Sequence, residues 1–184
     1  MGSIKIGAIQ ANLLITPSKY ATFYKENLEA ILAVDGCAGI RFFPAKVDCP
    51  NPVTNQMQPY DTVIAIGINA NNENLNAGPI RWDNVPCPPD CHYSGGVSGV
   101  QTSPDAAIDM QAAQDARPET VFAAQFAKQD MQTLLDLVGL AKIRVYYTQT
   151  GTFLLQGADS NGTAIVNVYG LGDESDSLEP NLWE

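Results

Sequence analysis

Apolar residues recur along the chain in two rhythms, and each rhythm occurs twice. Tyr24, Leu28, Ile31 and Leu32 stand at helical spacing, as do Ala127, Met131, Leu134 and Leu135. Pro17 and Pro118 are read as opening these helices, and Gly36 and Gly139 as ending them in a left-handed C-cap. Both stripes are expected to face a core. Downstream, Ile40 to Lys46 and Ile143 to Gln149 alternate β-branched and aromatic residues and predict strands. Second strands are expected over about Thr62 to Asn69 and Thr152 to Ala158, with a tight hairpin turn at Thr150 and Gly151 in the second half. Asn161-Gly162 predicts a type I′ turn leading to a third strand, Thr163 to Tyr169, whose counterpart lies near Pro79 to Trp82.

The repetition extends to identities. Phe23 to Lys46 aligns without a gap on Phe126 to Gln149, matching Phe23 with Phe126, Lys25 with Lys128, Leu32 with Leu135, Gly36 with Gly139, Ile40 with Ile143 and Arg41 with Arg144. Upstream, Gln10, Ala11 and Pro17 match Gln111, Ala112 and Pro118; downstream, Gly67 and Asn71 match Gly157 and Asn161. A unit of this kind defines the architecture. Ser3 and Ser103 are read as N-caps of a first, short helix in each copy, with Pro104 in its first turn.

The fold class expected from these elements is α+β: two tandem pseudo-repeats, each with a short helix, a longer helix and a small antiparallel β-meander, packed as an intrachain pseudo-dimer. The first repeat, with its long inter-strand loop and the Cys-Pro-Pro-Asp-Cys connector, is placed at residues 1–95; the second, ending in an acidic tail, at residues 96–184. Pro44 lacks a backbone donor, so the first strand of copy one is expected at a sheet edge or to end there, offering a pairing surface.

Composition narrows the chemistry. The net charge of −10, from ten basic and twenty acidic residues, disfavours nucleic acid and anionic membranes. Only 16% of residues are charged, and Asn and Gln carry much of the polar surface between Asn51 and Asn76. Neutral amides pack against other protein without desolvating an ion, which suits assembly. No apolar run is long enough to span a membrane and no signal peptide is visible, so a cytoplasmic location is expected by default, with non-classical release to the exterior as the alternative.

Cys49, Cys87, Cys91 and His92 form the one constellation resembling a metal site; the alternatives are a zinc site, a disulfide and free thiols. Cys37 takes the place of Leu140 and is read as a small buried hydrophobe. With one histidine, any triad would have to be built on His92, in a connector that preorganises nothing. Asp173, Glu174 and Asp176 could bind calcium weakly or simply be a solvated tail. Arg41 and Arg144 are expected to pair with a carboxylate across the interface between copies, ligand recognition being the alternative. Leu182 and Trp183 end the acidic tail and are candidates for insertion into a neighbouring subunit.

At GCAGIRFFPAK, VIAIGINANN and CPPDC the first copy resembles an uncharacterised family of small bacterial proteins with a Gly-Ile-Arg-aromatic strand, a following Gly-containing hairpin strand and a Cys-Pro-Pro-x-Cys end. The resemblance covers about residues 3–92, and Ile68-Asn69 and Pro44 depart from its pattern. It implies a real fold unit and carries no activity. The expected function is therefore that of a non-enzymatic structural protein without a required cofactor, self-associating as a homo-oligomer or polymer in a filament, tube or sheet. The alternative is a module binding a small molecule, metal or protein in the cleft between repeats or under the Cys49 to Cys91 loop.

Overall fold

The stretch Ile15–Tyr24, with Thr16, Thr22, Phe23 and Tyr24, is a strand running directly into a helix of two turns. The computed structural model describes residues 4–6, 15–51, 53–83, 98–102, 123–148, 153–171 and 173–174. In chain order these form β1 (Ile4–Ile6), β2 (Ile15–Tyr24), α1 (Lys25–Leu32), β3 (Gly39–Pro50), β4 (Met57–Ile68), β5 (Ile80–Asp83) and β6 (Ser98–Thr102). Then come β7 (Ala124–Ala127), α2 (Lys128–Leu135), β8 (Lys142–Thr148), β9 (Phe153–Ala158), β10 (Ala164–Leu171) and β11 (Asp173–Glu174).

The α+β expectation, with a short and a long helix in each half, is thus overturned: the protein is mostly β, in two antiparallel sheets. Ile4–Ile6, expected in a first helix, is a strand, and Pro17 lies within β2 and opens no helix. The physical reason is long-range pairing: Tyr20 to Tyr24 are zipped to Tyr146 to Lys142 of β8, and that ladder outweighs a local preference for helix. Ser103, Pro104, Pro118, Thr150 and Gly151 lie outside the described residues. Gly36 (φ 75°) and Gly139 (φ 80°) do take the left-handed conformation, but in a turn beyond the helix C-caps at Ala33 and Asp136. The type I′ reading of Asn161-Gly162 is also corrected, since only Gly162 has a positive φ, of 82°.

The sheets are ordered β1-β10-β9-β8-β2 and β11-β7-β3-β4-β5-β6. The segments matched in sequence take matching elements, and each half lends strands to the other's sheet: β1 and β2 join β8, β9 and β10, while β7 and β11 join the sheet of β3, β4 and β5. Phe23 pairs with Ile143 and Tyr24 with Lys142; with Phe23 laid on Phe126, these become the pairs Phe126 with Ile40 and Ala127 with Gly39. The next hydrogen bond repeats too: the Lys25 N–H donates to Ala141 O at 3.0 Å and the Lys128 N–H to Ala38 O at 2.8 Å. β6 begins beyond the 95/96 boundary yet joins the sheet of β3, β4 and β5.

The sheets also meet at both flanks. On one, the Thr22 N–H of β2 donates to the buried Asp83 carboxylate of β5 at 2.6 Å. On the other, the chain passes from β10 to β11, which pairs with β7. Between them lies one apolar interior containing Leu28, Ile31 and Leu32 of α1, Met131, Leu134 and Leu135 of α2, and inward residues of both sheets. The helical stripes read from sequence are buried there, apart from Tyr24 and Ala127, which end strands. Phe42 sits in edge-on or tilted contact with Phe23 and Phe126, at ring-centroid distances of 5.8 and 5.7 Å. On the other face of the second sheet, Phe43, Ala45, Ile64, Ile66 and Ile80 form a separate buried cluster.

Candidate functional sites at the hairpin arm and the strand crossing

β3 and β4 pair over their full length, Gly39 with Ile68 through Pro50 with Met57. Their neighbours are shorter. β7 accompanies β3 only over Gly39 to Phe42, and β5 accompanies β4 only at Ile64 and Ala65. The hairpin therefore continues outward as a two-stranded ribbon, among the described residues. Pro44 lies just past the last residue that β7 pairs, where β3 changes from an interior strand to an edge, so its missing N–H leaves no gap in the β7 ladder. Lower on the ribbon, Lys46 and Asp61 face each other as a nearly buried ion pair at 2.8 Å.

The tip is built by amides. The Asn51 side-chain oxygen accepts from the Val53 and Thr54 N–H groups at 2.8 and 3.1 Å, and Asn55 takes a left-handed φ of 55°. Val53 is 90% exposed and Met57 63% exposed; Val138 is the other large hydrophobic exposed among the described residues.

The second feature lies where β7 crosses onto β3. Arg41 is buried at 4% exposure. It donates to Asn74 Oδ1 at 3.0 Å, Asn72 O at 2.8 Å and, from the other half, Gln125 Oε1 at 3.1 Å. Its guanidinium lies 5.9 Å from the Phe43 ring centroid, and its buried Nε has no hydrogen-bond partner among the described residues. Burial pushes its pKa below the ordinary arginine value. Among the described residues its partners are three neutral oxygens and none is the carboxylate expected for Arg41. Arg144 is half-buried, donates to Gly162 O at 2.6 Å and stands 5.0 Å from the Tyr20 ring centroid.

The two arginines share one task. Each braces the turn that follows the next strand by holding the carbonyl of its left-handed residue, Asn72 (φ 65°) or Gly162 (φ 82°). Each turn is in addition tied by its first side chain: Asn69 Oδ1 accepts from the Asn71 and Glu73 N–H groups, and Asp159 Oδ1 from those of Asn161 and Thr163. The alignment of Asn71 with Asn161 carried that signal; the roles of Asn72, Asn74 and Gln125 were not read from it. Lys142, in the place of Gly39, is buried and donates to Ser160 O at 3.0 Å. Burial and Arg144 lower its pKa, and Asp159 opposes them.

A cavity of about 270 Å³ is walled by Asn69, Ala70 and Asn72 of the turn, Ala38 and Ile68, and Gln125, Phe126 and Ala127 of β7; Asn72 and Gln125 also hold Arg41. A larger open groove, about 550 Å³, lies between the two helices and includes Leu32, Leu135, Glu29 and Lys128.

Cys37 is a free, buried thiol that donates to Gly39 O at 3.2 Å. Of the proposed metal set, Cys49 contributes its backbone to β3, paired with Gln58, while Cys87, Cys91 and His92 lie outside the described residues, as do Leu182 and Trp183. Among the described residues no group of three or more His, Cys, Asp or Glu side chains could hold a metal ion. No helix among them is long and apolar enough to cross a membrane. No family model, curated protein or solved structure matches the chain.

Proposed function

We propose that the protein is a non-enzymatic structural subunit that self-associates, one copy's hairpin arm docking on the next to build a homo-oligomer or a filament, tube or sheet. The observation that carries this reading is the arm's tip, which holds two of the three exposed large hydrophobics among the described residues, Val53 and Met57. Such residues on a projecting ribbon offer an anchor that a second copy can bury. The ribbon's edges add little, because Pro44, Pro50 and Pro59 interrupt the row of donors that open-ended strand addition would use. The amide-rich tip lowers the desolvation cost of the contact, and the net charge of −10 disfavours nucleic acid as the partner. A contact between tip and body joins unlike surfaces, so it is heterologous and propagates unless its rotation closes a ring.

The test is light scattering and negative-stain microscopy of the full chain across protein concentration. Assemblies are expected to appear, and Val53→Asp with Met57→Asp to weaken association about tenfold or more. Because both positions are exposed, the unfolding midpoint should stay nearly unchanged. A monomer at every concentration, or assemblies indifferent to the double substitution, contradicts the reading.

A further inference from the structure

The open groove between the two helices is lined in equivalent pairs: Leu32 with Leu135, Glu29 with Gln132 and Ala33 with Asp136. Lys128, the counterpart of Lys25, lines it as well. The last carbonyls of a helix have no intrahelical partner and carry the negative end of its dipole, which a cation stabilises. Neither helix has a basic residue of its own in the last turn.

One helix receives its cation from the other. The Lys128 ammonium, at the start of α2, reaches across the groove and donates to Leu32 O, the last carbonyl of α1, at 2.7 Å. Lys25 starts α1 in the matching place, tied by the matching backbone bond to Ala141 O. Its ammonium, however, turns back along its own helix to Glu29, at 3.6 Å. Gln132, in the place of Glu29, offers Lys128 no such carboxylate. Leu135 O, the last carbonyl of α2, accordingly has no donor among the described residues. Next in the chain stands Asp136, where α1 is followed by Ala33; it is exposed and forms no ion pair among the described residues. The two departures from the repeat act in one direction. Glu29 draws a cation away from Leu135 O, and Asp136 adds an anion beside it.

We propose that this groove binds a primary alkylammonium, its N–H groups donating to Leu135 O and its charge facing Asp136, in the manner of the Lys128 ammonium on Leu32 O. A compact cation with three donors can serve a carbonyl and a carboxylate together. Lys25 offsets Glu29 and Lys128 is taken by α1, which leaves one carboxylate for one ammonium. A diamine would bring its second charge toward Lys128. The groove volume of about 550 Å³ admits a short alkyl chain.

The experiment is calorimetric and NMR titration of the full chain with n-butylammonium chloride near neutral pH, with tetramethylammonium chloride and butanol as comparators at constant ionic strength. Butylammonium is expected to saturate one site and shift the Asp136 amide resonance, whose peptide group includes Leu135 O. Tetramethylammonium, a cation without N–H donors, and butanol, without charge, should each bind about fivefold or more weakly. Asp136→Ala, which copies Ala33, should weaken binding about fivefold or more. Glu29→Gln, which copies Gln132, should abolish it, because Lys25 is then released to reach Leu135 O as Lys128 reaches Leu32 O. Glu26→Gln, on α1 but outside the groove, should leave binding unchanged. All three positions are exposed, so the fold is retained. Absence of saturable butylammonium binding, equal binding of either comparator, indifference to Asp136→Ala or Glu29→Gln, or an equal loss on Glu26→Gln would overturn the proposal.

Discussion

Phe42→Ala is expected to lower the unfolding free energy by about 3–5 kcal/mol, measured by urea denaturation. Phe42 is fully buried and touches Phe23 of one half and Phe126 of the other. Its register neighbours are Ala65 on β4 and Ala124 on β7, two small side chains that make room for the ring and cannot fill the void its loss leaves. The aromatic contacts add about 0.5–1.5 kcal/mol each to the burial term, which places the cost at the upper end of the range. In the other sheet the matching position is Val145, beside Leu155 and Ala21, so the void left by Val145→Ala is smaller and its expected cost lower. Equal losses at the two positions would contradict the central role given to Phe42.

Gly39→Ala is the second large effect, and here the neighbour decides the sign. A Cβ at Gly39 would lie 2.5 Å from the Phe126 carbonyl oxygen and 3.4 Å from the Ala127 Cα, both backbone atoms of β7. β7 cannot simply retreat, because Ala127 pairs with Gly39 and the Lys128 N–H is bonded to Ala38 O. We expect a cost of about 1–3 kcal/mol, in the manner of overpacking. Gly157→Ala is the informative comparison: its Cβ would come equally close, 2.6 Å, but to the tip of the Leu140 side chain, which can rotate away. Gly157→Ala should therefore cost clearly less, and thermal unfolding of the two variants side by side checks the order.

The duplication was legible in the residues themselves, because Phe23, Lys25, Leu32, Gly36, Ile40 and Arg41 recur in register. So were the buried helical stripes and the strands that follow them. What could not be read was the exchange. The pairing of Phe23 with Ile143 leaves no local trace, and an apolar segment such as Tyr20 to Tyr24 fits a helix start as well as a strand until its partner is known. That ambiguity is why the fold read as α+β and proved mostly β. At Arg41 the charge suggested a carboxylate, yet the surrounding turn supplies carbonyl and amide oxygens, because Asn72 in a left-handed turn aims its carbonyl at the strand behind it. Pro44 did mark a change in strand pairing, though not the end of the strand.

The central claim is that the two like halves form one body by lending each other strands. Native-state hydrogen exchange of the full chain tests it most directly, at the Lys25 and Lys128 amides, whose hydrogen bonds to Ala141 and Ala38 bridge the halves. We expect both amides to exchange only through global unfolding, with opening free energies equal within about 1 kcal/mol. Exchange of either amide through an opening that leaves the other half's core strands protected would show the halves to be separable, and would contradict the claim.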